Sequence, residues 1–125
     1  MTEKRGFVKY TDETEALSCP YGNVKRIITG GDRGSPNIHL VSVTEGGEHY
    51  HSAYDENYYV LSGIGTIFMD GASYELCPGA AVYIPAGVVH SLKADPGHTL
   101  QFIIFGSPGM DFSDERAKPM KREEG

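Results

Sequence analysis

No apolar pattern with the 3.6-residue period of a helix persists anywhere in this chain. Short runs rich in Val, Ile, Tyr, Phe and Thr recur instead between clusters of Gly, Pro, Asp and Asn. Runs of that kind build pleated strands, and the clusters between them close turns. The spacing predicts strands over Gly6–Tyr10, Val24–Thr29, Asn37–Thr44, Asn57–Leu61, Gly65–Met69, Ser73–Leu76, Ala81–Ile84, Val89–Ala94 and Thr99–Phe105. Gly63-Ile64-Gly65 can fold back tightly, and Asp70-Gly71 is the preferred pair of a type I′ hairpin. Sixteen glycines and seven prolines in 125 residues suit so many reversals. The expectation is an all-β sandwich or barrel in a single domain over residues 1–112. A tail over 113–125 follows, in which Ser113 can cap Asp114-Glu115-Arg116. Pro119 and the charged end from Lys121 keep any helix there short or leave the terminus frayed.

Composition removes several function classes. Hydrophobic residues at 39% and charged residues at 22% are globular values. The formal charge is −6, and the eleven Lys and Arg residues are scattered rather than gathered into a stripe, so no nucleic acid is expected as a partner. No segment reaches 18 apolar residues and the N-terminus lacks an apolar core, so neither a membrane nor a secretory route is expected, and the compartment expected is the cytoplasm. Cys19 and Cys77 lack a CxxC pattern; they allow one disulfide but do not make a disulfide-dependent scaffold. Cys77, just before Pro78-Gly79, reads as a small buried residue. A Ser-His-Asp elbow, a P-loop and a dinucleotide glycine motif are all missing. Gly30-Gly31-Asp32-Arg33-Gly34 reads as a turn, because no helix follows it. The 23 residues before Val24 are too short and too poorly periodic for a DNA-reading helix pair.

The chemistry concentrates in four residues. On a strand, positions i and i+2 share a face, so His49 and His51 aim two imidazoles at one point. Glu56 follows a short loop, and His90 follows the turn Pro85-Ala86-Gly87. Three imidazoles and a carboxylate suit one divalent transition metal such as zinc, manganese, iron or nickel. Tyr58 lies two residues past Glu56 on the same face, where a phenol can serve as general acid or base. His39 shares a face with Val41 and Val43 and can lie behind the site. Arg26 can enter the barrel and hold a carboxylate or phosphate. Tyr83 and Gln101 are further candidate polar groups of a pocket, and His98 reads as a surface loop residue.

These residues resemble the motifs of the cupins. In that family's first motif His-x-His is followed by three or four residues, Glu, six residues and Gly; here His49-x-His51 is followed by four residues, Glu56, six residues and Gly63. The second motif is matched by Gly79, five residues, Pro85-x-Gly87, two residues and His90. Val43, Ala80 and Ala94 stand where the pattern has Gly, an acidic residue and Asn, none of them a metal ligand. The resemblance covers roughly Val24 to Phe105 and implies one cupin barrel, the double-stranded β-helix or jelly roll. It implies a metal held by His49, His51, Glu56 and His90, and pairing of two chains through N-terminal strands into a homodimer. A tyrosine placed like Tyr58 looks catalytic in cupin-type lyases that cleave dimethylsulfoniopropionate. The function expected first is a metal-dependent isomerase, epimerase or lyase acting on a small-molecule substrate: a sugar, sugar acid or carboxylate. A ferrous dioxygenase comes second, and a binding cupin that turns nothing over comes third.

Overall fold

Hairpin follows hairpin along the chain, as the turn chemistry requires. The computed structural model describes residues 7–19, 22–29, 37–52, 55–106 and 115–117. After a single 3₁₀ turn at Thr11–Glu13 come eleven strands among these residues. They are β1 (Ala16–Cys19), β2 (Gly22–Ile28), β3 (Asn37–Val43), β4 (Glu45–His51), β5 (Glu56–Ser62), β6 (Gly65–Met69), β7 (Ala72–Leu76), β8 (Ala81–Ile84), β9 (His90–Ala94), β10 (Leu100–Gly106) and β11 (Glu115–Ala117). Two antiparallel sheets result, one in the order β1-β2-β3-β10-β5-β8 and the other β11-β4-β9-β6-β7. This is a jelly roll. Asp70 and Gly71 both have positive φ, 51° and 88°, as the type I′ hairpin between β6 and β7 demands. Gly63 turns the chain between β5 and β6 at φ 90°, and a Cβ there would lie 2.1 Å from the Thr99 carbonyl oxygen. Only glycine fits.

Strand register sorts the interior into an apolar end and a polar end. On the six-stranded sheet, Val43 faces Leu100, and Val41 faces Phe102, which faces Val60. The next row is His39, Ile104, Tyr58 and Val82, and the last is Asn37, Gly106, Glu56 and Ile84. On the other sheet, Gly46 faces Leu92, which faces Ile67, while His49 faces His90, which faces Met69. One end is thus wholly apolar, whereas the buried polar side chains (Asn37, His39, His49, His51, Glu56 and His90) gather at the other, among Ile104, Tyr58, Val82 and Ile84. Burying about 25 cal/mol per Å² of apolar surface holds the sandwich shut, and the polar end is where the fold concedes stability.

Several expectations need correcting. Residues 7–10 lie exposed outside any strand, so the strand expected over Gly6–Tyr10 is not formed there. The first strand is Ala16–Cys19, held by a local hairpin to β2. In the tail, Glu115–Ala117 extends along β4 as a strand rather than a helix, and the remainder of 113–125 lies outside the described residues. Cys77 is an exposed free thiol, because the chain leaves the interior at Leu76 and turns at the surface.

Candidate metal centre

Two bulged or turning segments deliver the three imidazoles. A register shift in the β4–β9 pairing between Gly46 and His49 resets the strand, so that both Gly46 and His49 face inward. His51 follows on the same face, and all three histidines are nearly inaccessible to solvent. His90 opens β9 directly opposite His49, with ring centroids 4.1 Å apart. One ligand nitrogen from each of His49, His51 and His90 lies within 4.8 Å of the others. Glu56 at the start of β5 closes the group from the opposite sheet. Its Oε1 is 3.4 Å from His51 Nε2 and 3.7 Å from His90 Nε2.

The imidazoles are set up as ligands. His49 Nδ1 is 3.0 Å from the Gly47 carbonyl oxygen, and His90 Nδ1 is 2.9 Å from that of Val88. A carbonyl can only accept, so Nδ1 carries the proton and the lone pair sits on Nε2, turned toward the centre. Burial pushes the pKa of His49 down to about 4, and burial with the neighbouring His49 does the same for His90. Both are therefore neutral at pH 7, the form that binds metal. His90 Nε2 is buried without a hydrogen-bond partner, which costs free energy unless something accepts its lone pair. The donor set fits one borderline divalent ion, and the three histidines are the group best placed to bind it.

The walls of the site come from the six-stranded sheet. Tyr58 is buried and stacks on Phe102 at 4.5 Å between centroids, and its hydroxyl donates to Glu56 Oε1 at 3.3 Å. His39 is buried one row from Glu56, and Arg26 stands opposite it on β2, exposed. Tyr83 and Gln101, by contrast, face outward. Tyr83 pairs with outward Asn57, and Gln101 donates to Ser42 on the outer surface at 3.4 Å. Each lies between two inward residues, so the pleat excludes both from the pocket. His98 is an exposed loop residue.

Sequence reasoning missed Asp55 and Asn37. Asp55 accepts the Ala86 N–H at 2.8 Å and the Tyr83 hydroxyl at 3.1 Å, and the Gly87 N–H donates to the His51 carbonyl at 2.6 Å. These bonds pin the turn before His90 to the ends of the segments that carry His51 and Glu56. Strand parity with His39 could have flagged Asn37. For Asp55, only its place beside Glu56 could have served as a signal.

The family model for the cupin domain matches residues 38–105, which span His49, His51, Glu56 and His90. The chain is a cupin. A protein of known structure from Planctomyces limnophilus is 30% identical to it, with a TM-score of 0.72 and coverage of 93% of this chain and 96% of that one. Quercetin 2,3-dioxygenase of Bacillus subtilis (strain 168) is 38% identical over 52 residues, 42% of this cupin but only 15% of the dioxygenase. Pac13 of Streptomyces, a nucleoside dehydratase, shares the fold at 17% identity and a TM-score of 0.72, with 90% of each chain covered.

Proposed function

We propose that this cupin is a metal-dependent enzyme of the isomerase, epimerase or lyase type, acting on a small polar metabolite such as a sugar, sugar acid or carboxylate. His49, His51, Glu56 and His90 would hold one divalent transition metal (zinc, manganese, iron or nickel). A bound ion of this kind supplies Lewis acidity to a chelated hydroxyl, carbonyl or carboxylate. The observation that carries the reading is the Tyr58 hydroxyl, buried at the wall of the site and donating to Glu56. From there Tyr58 can give a proton to substrate or take one from it, with Phe102 fixing its ring. That Pac13, a dehydratase, fills nearly its whole length with the same single barrel supports a lyase on this scaffold.

The test is turnover of a panel of sugar acids, keto acids, catechols and sulfonium carboxylates by protein loaded with each metal. The expected result is anaerobic turnover without oxygen uptake, reduced about 100-fold in Tyr58→Phe with metal content unchanged. Full activity in Tyr58→Phe would remove the tyrosine from the mechanism. The likeness to quercetin 2,3-dioxygenase supports a second reading, a ferrous dioxygenase. In that case only iron-loaded protein works, and oxygen consumption follows product. Ligand binding without turnover across the panel would leave a binding cupin.

A homodimer in the cytoplasm completes the proposal. Residues 7–10 do not form the strand through which pairing was expected, and the outer face of the six-stranded sheet is the better seat. Tyr59, Leu61, Tyr83 and Phe105 are exposed there beside half-buried Ile38, Leu40 and Ile103. The proposed occupant is a second copy of the chain, since a two-fold contact would set this apolar patch against its own copy. Among the described residues no helix is long and apolar enough to cross a membrane.

A further inference from the structure

One charged group on the inward face of the six-stranded sheet belongs neither to the metal centre nor to the Tyr58–Glu56 pair. Arg26 is the direct cross-strand partner of His39, so the two side chains leave the sheet on the same, inward face. The same row continues through Ile104 to Tyr58, with Val24 and Val41 forming the row beneath Arg26 and His39. Arg26 is exposed whereas Val24, two residues earlier on its strand, is buried, so the inward face of β2 opens to solvent at Arg26. The β2–β3 register shifts immediately afterwards, between Arg26 and Ile28, which fixes Arg26 as the last inward residue before the bulge. Burial pushes the pKa of His39 down to about 4; the Arg26 charge adds to that and the Glu56 carboxylate opposes it. On a chain of formal charge −6, such an arginine is an uncommon place of attraction for an anion.

We infer that Arg26, with His39 beside it, is a subsite for a distal anionic group, so that the substrate has a metal-chelating end and a separate carboxylate or phosphate end. The inference rests on the metal-chelation reading above and adds which substrates within it are accepted. Strands lie about 4.8 Å apart, so the backbones of β2 and β5 are separated by roughly 14 Å along the sheet. What a ligand must span is that separation less the reach of the Arg26 and Glu56 side chains. An α-hydroxy acid that chelates through its only carboxylate has no second anion to offer Arg26. One with a second anion bridges the pocket. Guanidinium takes carboxylate and phosphate alike as a planar fork, and His39, neutral at pH 7, can add one N–H donor or one acceptor.

The experiment is calorimetric binding to zinc-loaded protein of lactate, malate and 2-hydroxyglutarate, and of glycerate and 3-phosphoglycerate. The acids with a distal anion should bind about 10-fold tighter than their singly charged partners, the range of one charge-assisted hydrogen bond at a partly exposed site. Arg26→Gln should abolish that preference while leaving zinc content and lactate or glycerate binding unchanged, and Arg26→Lys should restore part of it. Raising salt should shrink the preference in the wild type, since Arg26 is open to screening. The malate and phosphoglycerate arms separate a carboxylate subsite from a phosphate one. A preference that survives Arg26→Gln, or no preference in the wild type, overturns the inference. Failure of the metal reading is seen separately, as loss of zinc binding itself.

Discussion

His39, His49 and His90 are kept neutral inside the barrel, each with its pKa near 4 against 6.5 in the unfolded chain. Between those values the unfolded chain binds more protons than the native one, so their burial is least costly above pH about 6.5 and stability falls as pH drops toward 4. Each pH unit between the two pKa values is worth about 1.4 kcal/mol, and a small domain has only about 5–15 kcal/mol in all. Metal-free protein should therefore melt at steadily lower temperature from pH 6.5 down to 4, in scanning calorimetry across that range. A melting temperature flat through the interval would mean that these imidazoles are open to water. Which residues point inward was legible wherever two chemistry-bearing positions shared a strand. The parity that joined His49 to His51 and Glu56 to Tyr58 is the parity found. It did not extend to Tyr83 and Gln101, because Ala81-Val82-Tyr83-Ile84 and Leu100-Gln101-Phe102 are apolar enough on both parities to conceal which set is inside.

At the scale of the elements, a carboxylate outside the metal group carries the assembly of the site. Asp55 ties the turn at Ala86 and the Tyr83 hydroxyl to the start of β5, and the bond to Asp55 raises the Tyr83 pKa and keeps that hydroxyl a donor. Asp55→Ala should loosen His90 and lower metal affinity about 10-fold or more, the usual effect of losing a group that orients ligands. Asp55→Asn should cost less, since one acceptor remains. Metal titration of the two variants checks this; equal affinity in wild type and Asp55→Ala would assign the pinning to the backbone bond from Gly87 alone. Gly63→Ala should destabilise the fold by about 1–3 kcal/mol through the collision with Thr99, read by denaturant unfolding. The hairpin turns were readable because Asp-Gly and Pro-x-Gly demand particular backbone angles. The strands Ala16–Cys19 and Glu115–Ala117 were not, since neither alternates and each is made a strand by its partner, β2 or β4.

For the molecule as a whole, the motif spacings foretold the barrel because they encode the turns that close it. They said nothing about its outside. Phe102 faces the core and Phe105 the surface of the same strand, a difference set by register and not by residue type. The apolar outer face should make the protein a dimer at micromolar concentration, and Phe105→Glu should yield monomer with the metal site intact, by sedimentation equilibrium. A monomeric wild type would leave that face without the proposed occupant. Everything said of the site depends on the three histidines and Glu56 acting together on one ion. Elemental analysis of protein prepared without a chelating tag should find about one divalent transition metal per chain, sharply reduced in His51→Ala and His90→Ala and unchanged in His98→Ala. Metal-free protein that also fails to take up zinc, manganese, iron or nickel tightly would contradict the account.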